Sequence, residues 1–231
     1  MKTKKLGALL IVSASALLGF SNAFADEPPN DVRIGLYSIF YHTTADDLSG
    51  PYVPPGANLQ AKDLETLYVG VVHHFPDNFA VELALGWPPQ SKVEGRGPAT
   101  LGSVPYNGQV ISSARWISPT LLFEYNFLSD NSPIRPYIGA GVNYTTFYAR
   151  DTTAAGNAAS GGPTKLSLTA SVGPAVTGGL TYRISDNWHM HASYSWSQVK
   201  TNLTADTDGI IRTSRISFGP QALVVSVGYS F

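Results

Sequence analysis

His189 and His191 stand two apart in the segment WHMHASYSW, so an extended backbone aims both imidazoles at one face. That spacing could ligate a metal, but neither histidine has a cysteine partner or an obvious carboxylate partner. Ordinary inward-facing histidines are the plainer reading, and no metal site or cofactor is assigned. Ser193 follows His191 by two residues, and with Glu124 it could supply a nucleophile, base and orienting carboxylate. No motif supports that grouping, so the expectation is a non-enzyme with no catalytic residue. His73 and His74 abut the Pro76 turn and point to opposite faces, which suits an interfacial position. Glu82, Glu124, Asn143 and Arg183 are polar positions in otherwise apolar segments, where buried charges would have to pair with one another.

The segments that hold these residues are strands. In FAVELALGWPPQ, Phe79, Val81, Leu83, Leu85 and Trp87 are large and apolar, while Ala80, Glu82, Ala84 and Gly86 alternate with them. Pro88 and Pro89 then end the run, and neither can donate a ladder hydrogen bond. The same alternation sets Leu121, Phe123, Tyr125 and Phe127 against Leu122, Glu124 and Asn126. It sets Trp188, Met190, Tyr194 and Trp196 against His189, His191, Ser193 and Ser195, and Leu223, Val225, Val227, Tyr229 and Phe231 against Val224, Ser226 and Ser230.

The chain opens with Lys2, Lys4 and Lys5 before an apolar run from Leu6 to Phe20 and a small-x-small Ala23-Phe24-Ala25. Residues 1–25 are therefore expected to be a cleaved secretory signal peptide, leaving 26–231 as one domain. Of 15 Lys+Arg, those three lysines fall in the signal, leaving 12 against 16 Asp+Glu, or about −4, with no footprint for nucleic acid. There is no cysteine, so no disulfide framework staples the fold. The composition, 43% hydrophobic and only 13% charged with 22 Gly and 12 Tyr, suits short alternating strands.

Turn formers cluster at Pro76-Asp77-Asn78, Ser129-Asp130-Asn131-Ser132 and Ser185-Asp186-Asn187, and each marks a hairpin. Polar or Gly/Pro-rich stretches at about 43–63, 89–114, 150–164 and 204–218 read as long surface loops. With strands at about 32–42 and 219–231 the count is eight, alternating short turns and long loops. The fold class expected is an all-β, eight-stranded antiparallel transmembrane barrel with short periplasmic turns and longer extracellular loops. A soluble β-sandwich would explain the alternation but not the aromatics at strand ends, Trp87, Trp188, Trp196 and Tyr229, which fit interfacial girdles.

The segments SPTLLFEYNF (118–127), RPYIGAGVNYTTFY (135–148), FAVELALGWP and the terminal VSVGYSF resemble the OmpW family of outer-membrane proteins, over essentially residues 31–231. The resemblance implies a bacterial outer-membrane barrel with a narrow, largely hydrophobic channel and uptake of small apolar molecules. It also implies a sideways exit through a gap in the wall, associated with a proline near the outer end of the third strand. Pro88 matches that proline, whereas Pro89 is an additional feature. Terminal Phe231 is the residue type that helps the barrel assembly machinery recognise such chains.

Eight strands leave an interior that side chains nearly fill, so a wide aqueous pore is not expected. Tyr68, Val72, Ala84, Leu122 and Tyr137 are the candidate lumen residues, and Trp87, Pro88 and Pro89 the candidate lateral opening. Leu101, Val104, Tyr106, Ile210 and Ile211 are candidates for an apolar vestibule in the long loops. The expected partners are outer-membrane lipid and lipopolysaccharide, the assembly machinery and small apolar solutes. The alternative is a structural, adhesive or receptor barrel without transport.

Overall fold

The computed structural model describes residues 29–76, 78–129 and 132–231. The expected signal peptide and Asp77, Asp130 and Asn131 of the turns lie outside the described residues.

Eight strands form the wall. They are β1 (Asn30–Tyr41), β4 (Leu64–His74), β5 (Phe79–Gly86), β10 (Thr120–Asn126), β11 (Ile134–Thr152), β13 (Ser171–Arg183), β14 (Trp188–Ser197) and β17 (Pro220–Ser230). Their order is β10-β5-β4-β1-β17-β14-β13-β11, all neighbours are antiparallel, and the β10–β11 pairing closes the ring. Closure leaves no open edge within this ring, which a sheet in lipid requires. The three short connections and both described chain ends lie at one rim, where the Phe231 and Asn30 backbones exchange hydrogen bonds of 2.9 and 3.3 Å.

Alternation gives the wall its two surfaces, as the sequence predicts. Outward side chains such as Ile34, Leu121, Phe123, Tyr194, Val225 and Tyr229 are 42–60% exposed, a contiguous apolar surface that a soluble protein does not present. Phe79 stacks on Phe123 at 5.2 Å and Trp188 packs edge-on to Tyr229 at 5.1 Å, forming part of an aromatic girdle near the short-turn rim.

The stretches expected to be surface loops are largely structured. They contain β2 (Thr44–Ala45), β3 (Asn58–Ala61), β6 (Gln90–Arg96), β7 (Thr100–Leu101), β8 (Val104–Pro105), most of β9 (Val110–Ile117), the helix α1 (Ala154–Ser160) and β16 (Ile210–Ser217). β12 (Lys165–Leu168) and β15 (Lys200–Thr207) border them. The 19-residue β11 rises above the ring and carries β9, β6 and β3 in turn, while β12, β15, β16 and β2 make a second sheet. These elements extend the wall outward. Thr153 caps α1 by accepting from the Gly156 N–H at 3.1 Å, and the β15–β16 hairpin turns on Asp208-Gly209, both with positive φ.

Candidate functional site: a stack of cavities above a polar plug

The lower lumen is filled. Arg33 on β1 reaches Asp31 and Glu82 at 3.4 Å each, with all three side chains no more than 5% exposed. Asp31 also meets His74 Nε2 at 2.7 Å and accepts from the Ser230 hydroxyl at 2.6 Å. The Tyr68 hydroxyl donates to Glu82. On the other side of the lumen Tyr137 and His191 Nε2 share a hydrogen bond of 2.6 Å, and His191 Nδ1 lies 3.2 Å from the Ser226 hydroxyl. Glycines make room for the rings: a Cβ at Gly70 would collide with the Tyr68 ring, and one at Gly228 with His189. Glu82, expected to pair among Glu124 and Arg183, pairs instead with Arg33, and Glu124 Oε1 is buried without a hydrogen-bond partner.

The chemistry weighed for the histidines is not assembled. His189, His191, Ser193 and Glu124 all face the lumen and are buried. Both ring nitrogens of His191 are engaged by Tyr137 and Ser226, not by Ser193. His189 Nε2 lies 3.5 Å from Asp31, and no cluster of three metal-ligating side chains occurs among the described residues.

Above the plug the lumen opens into three adjoining cavities. The innermost, about 30 Å³, is lined by Tyr37, Tyr68, Glu82, Ala84, Leu122 and Thr177 among others. The middle one, about 70 Å³, is walled by Ile39, Trp116, Phe147, Val199, Leu203 and Phe218 and shares Tyr37 and Ser197 with the first. The outermost, about 80 Å³, shares Leu59, Ser112, Leu166 and Leu203 with the middle one and includes Leu101 and Tyr106. Burial pushes the Tyr106 phenol up to about 12, and its hydroxyl donates to the Asn58 carbonyl at 2.8 Å.

The middle cavity presents a dry surface although several hydroxyls stand on its wall. Ser91 accepts from Trp116 Nε1 at 2.8 Å, and Ser118 is held by Thr145 at 2.6 Å and Asn143 at 2.8 Å. With Ser91 and Ser118 satisfied internally, the aliphatic and aromatic groups set the character of its wall, while Tyr37 and Ser197 stand where it meets the innermost cavity.

Beside this cavity the ladder is interrupted. β5 pairs with β10 up to Ala84↔Thr120, and β6 pairs with β9 from Gln90↔Arg115. Residues 85–89 and 116–119 have no ladder partners across that seam. The Trp87 N–H donates to Leu67 of β4 at 2.8 Å. N–H groups point alternately to either side of a strand, so the donor missing at Pro88 is the one that would face the seam, and the one missing at Pro89 faces β4. Trp87 is 68% exposed on the outer surface.

All five candidate lumen residues therefore face inward. Tyr68, Ala84 and Leu122 line the innermost cavity, while Val72 and Tyr137 are packed in the filled section. Of the vestibule candidates, Leu101 and Tyr106 line the outer cavity, whereas Val104, Ile210 and Ile211 do not. Ile210 and Ile211 sit at the β15–β16 tip, and the inward positions of that hairpin are Leu203 and Ile216. Sequence reading passed over Arg33, although the alternation of Val32, Ile34 and Leu36 around it marks an inward position. It also passed over Ile39, Trp116, Phe147, Val199 and Phe218.

A closed eight-stranded antiparallel barrel with an apolar outer band is an integral outer-membrane protein by architecture. The chain belongs to the OmpW family, whose sequence profile matches residues 31–231. It is 28% identical over 200 residues to outer membrane protein W of Vibrio cholerae, covering 87% of each chain. It is 33% identical over 136 residues to the dibenzothiophene metabolism operon protein PahQ of Pseudomonas aeruginosa, covering 57% of this chain and 59% of that protein. The crystal structure of the outer membrane protein OprG from Pseudomonas aeruginosa superposes with a TM-score of 0.79 at 21% identity, over 89% of this chain and 96% of that one. The protein resides in the bacterial outer membrane, among its lipids.

Proposed function

We propose that the protein is a passive channel for small hydrophobic molecules, which pass from the outer cavity into the middle one and leave sideways into lipid at the seam beside Trp87, Pro88 and Pro89. The observation that carries this reading is the position of the interruption: Trp116 and Ser118, in the seam, and Ser91, in the paired ladder just beyond it, also line the apolar middle cavity. A solute there is adjacent to the weakest part of the wall, and the filled section around Arg33 blocks the axial route. The name of PahQ, a dibenzothiophene metabolism operon protein, supports an apolar aromatic solute class. Such flux follows the solute's own gradient and needs no cofactor or catalysis. Lipopolysaccharide surrounds the barrel in this reading, the assembly machinery inserts it with the help of Phe231, and residues 1–25 are removed beforehand.

The test is uptake of toluene and of a small sugar into vesicles with a lipopolysaccharide outer leaflet. Wild type is compared with a Pro88→Ala, Pro89→Ala variant and with a Trp87→Cys, Ile117→Cys variant before and after bridging by a bismaleimide. Toluene but not sugar should enter, with a partial loss in the alanine variant and a large loss on bridging. Toluene uptake unchanged by the bridge would overturn the sideways route. No uptake by any form would overturn the channel and leave a structural or receptor barrel.

A further inference from the structure

The innermost cavity differs in chemistry from the one above it. In the middle cavity Ser91 and Ser118 are engaged by protein partners. From Tyr37 and Ser197 downward the situation reverses: Tyr37, Thr177, Ser195 and Ser197 line the innermost cavity, and their side-chain hydroxyls make no hydrogen bond with the described residues. Glu82 lies at the same level, its carboxylate held by Tyr68 and Arg33.

An apolar solute makes no use of hydroxyls beneath it that have no protein partner. Polar groups that find no partner on ligand binding oppose that binding. The size also matters: a cavity needs roughly 10–15 Å³ to take one water-sized group, and about 30 Å³ is present. That admits one small polar head group, not a second ring.

Resting on the channel reading above, we infer that the solute is an amphiphile with an aromatic or aliphatic body and one neutral hydrogen-bonding head, an alcohol or phenol. The body occupies the middle cavity against Trp116, Phe147 and Phe218, and the head lies below it among Tyr37, Thr177, Ser195 and Ser197. A hydroxyl both donates and accepts, as these four side chains do, and it can also donate to the acceptor-only carboxylate of Glu82. A carboxylate head is excluded by the same group. Arg33, whose charge could offset it, directs Nη1 and Nη2 at Glu82 and Asp31 and does not line the cavity, so an added anion beside Glu82 is an uncompensated buried charge. The site thus separates alcohols from both hydrocarbons and acids.

The experiment uses toluene, benzyl alcohol and benzoate, which share a ring and differ in the one-carbon head. Binding to the full chain in lipid nanodiscs is read from amide chemical shifts, and uptake is read in the vesicles described above. Benzyl alcohol should bind about fivefold more tightly than toluene, the value of one net hydrogen bond. It should shift the amides of Thr177 and Ser195, whereas toluene shifts only those around Val199 and Leu203, and benzoate should bind at least tenfold more weakly than the alcohol. A Thr177→Val, Ser195→Ala variant should lose the alcohol preference, and comparison of each ligand between the two proteins removes the contribution of lipid partitioning. Equal affinity and equal shift patterns for alcohol and toluene, or benzoate binding as tightly as the alcohol, would overturn the assignment. Toluene uptake without a head preference would sink this inference and leave the channel standing. A head preference in binding without uptake of any ligand would do the reverse.

Discussion

Replacing Arg33 by Met should destabilise the barrel by about 3 kcal/mol, roughly a hundredfold in the folding equilibrium. Removing one partner of a buried ion pair costs about 3–5 kcal/mol, because the other charge is left without compensation. Arg33 serves two such partners, Asp31 and Glu82, each at 3.4 Å. The loss is not doubled, since Asp31 keeps His74 at 2.7 Å and Ser230 at 2.6 Å. Glu82 keeps only the Tyr68 hydroxyl, so most of the penalty falls there, and the lower end of the range applies. The assay is urea unfolding of the refolded barrel in lipid vesicles, followed by tryptophan fluorescence. Glu82→Gln in the Arg33→Met background should return part of the loss, with a coupling of about 1–3 kcal/mol between the two sites. A loss under about 1 kcal/mol for Arg33→Met, or additive effects in the double variant, would refute the view that this guanidinium holds the plug.

Glu124 is the contrasting case: its Oε1 is buried without a hydrogen-bond partner, so Glu124→Gln should leave stability within about 1 kcal/mol or raise it in the same urea titration. At the hairpin tip Gly209 has φ +87°, and Gly209→Val should cost about 1–3 kcal/mol locally. Hydrogen exchange should then quicken in β15 and β16 while the amides of β1 and β17 stay protected.

The membrane-embedded half was legible because each strand there has two chemically distinct faces. Phe79, Leu121, Trp188 and Leu223 announce a lipid side, and Glu82, Leu122, His189 and Val224 beside them fall inward by period alone. The outer half was not, since its outward face is polar and its inward apolar positions, such as Leu203 and Ile216, are spaced among Thr, Ser and charged residues. TADTDGIIRTSRISF (204–218) therefore reads as a loop by composition, yet Asp208-Gly209 between residues of alternating burial is a strong hairpin signal. Arg33 shows a different limit. Its inward direction follows from Val32 and Ile34, but its pairing with Glu82 joins β1 to β5 across 49 residues and an intervening strand. That depends on the closed register of three strands, which no local pattern contains.

The same registers explain why the seam lies where it does, and why the two prolines are only part of the cause. β3 and β4 pair with β6 and β5 in one unbroken register, since Ala61↔Val93 and Tyr68↔Gly86 fall on the same diagonal. β9 and β10 likewise pair with β11 without a shift, from Ile117↔Thr146 to Thr120↔Asn143. Between these two continuous walls the register differs by one residue: five residues, 85–89, face four, 116–119. Removing or adding a residue in either strand would align the seam only by misaligning the pairing on its other side. The mismatch is therefore confined to this boundary by the rest of the ring, and Pro88 withdraws the backbone donor that would otherwise face it. Alanines at Pro88 and Pro89 restore donors but not register, which is why they should slow sideways passage in part, while a covalent bridge across Trp87 and Ile117 should stop most of it.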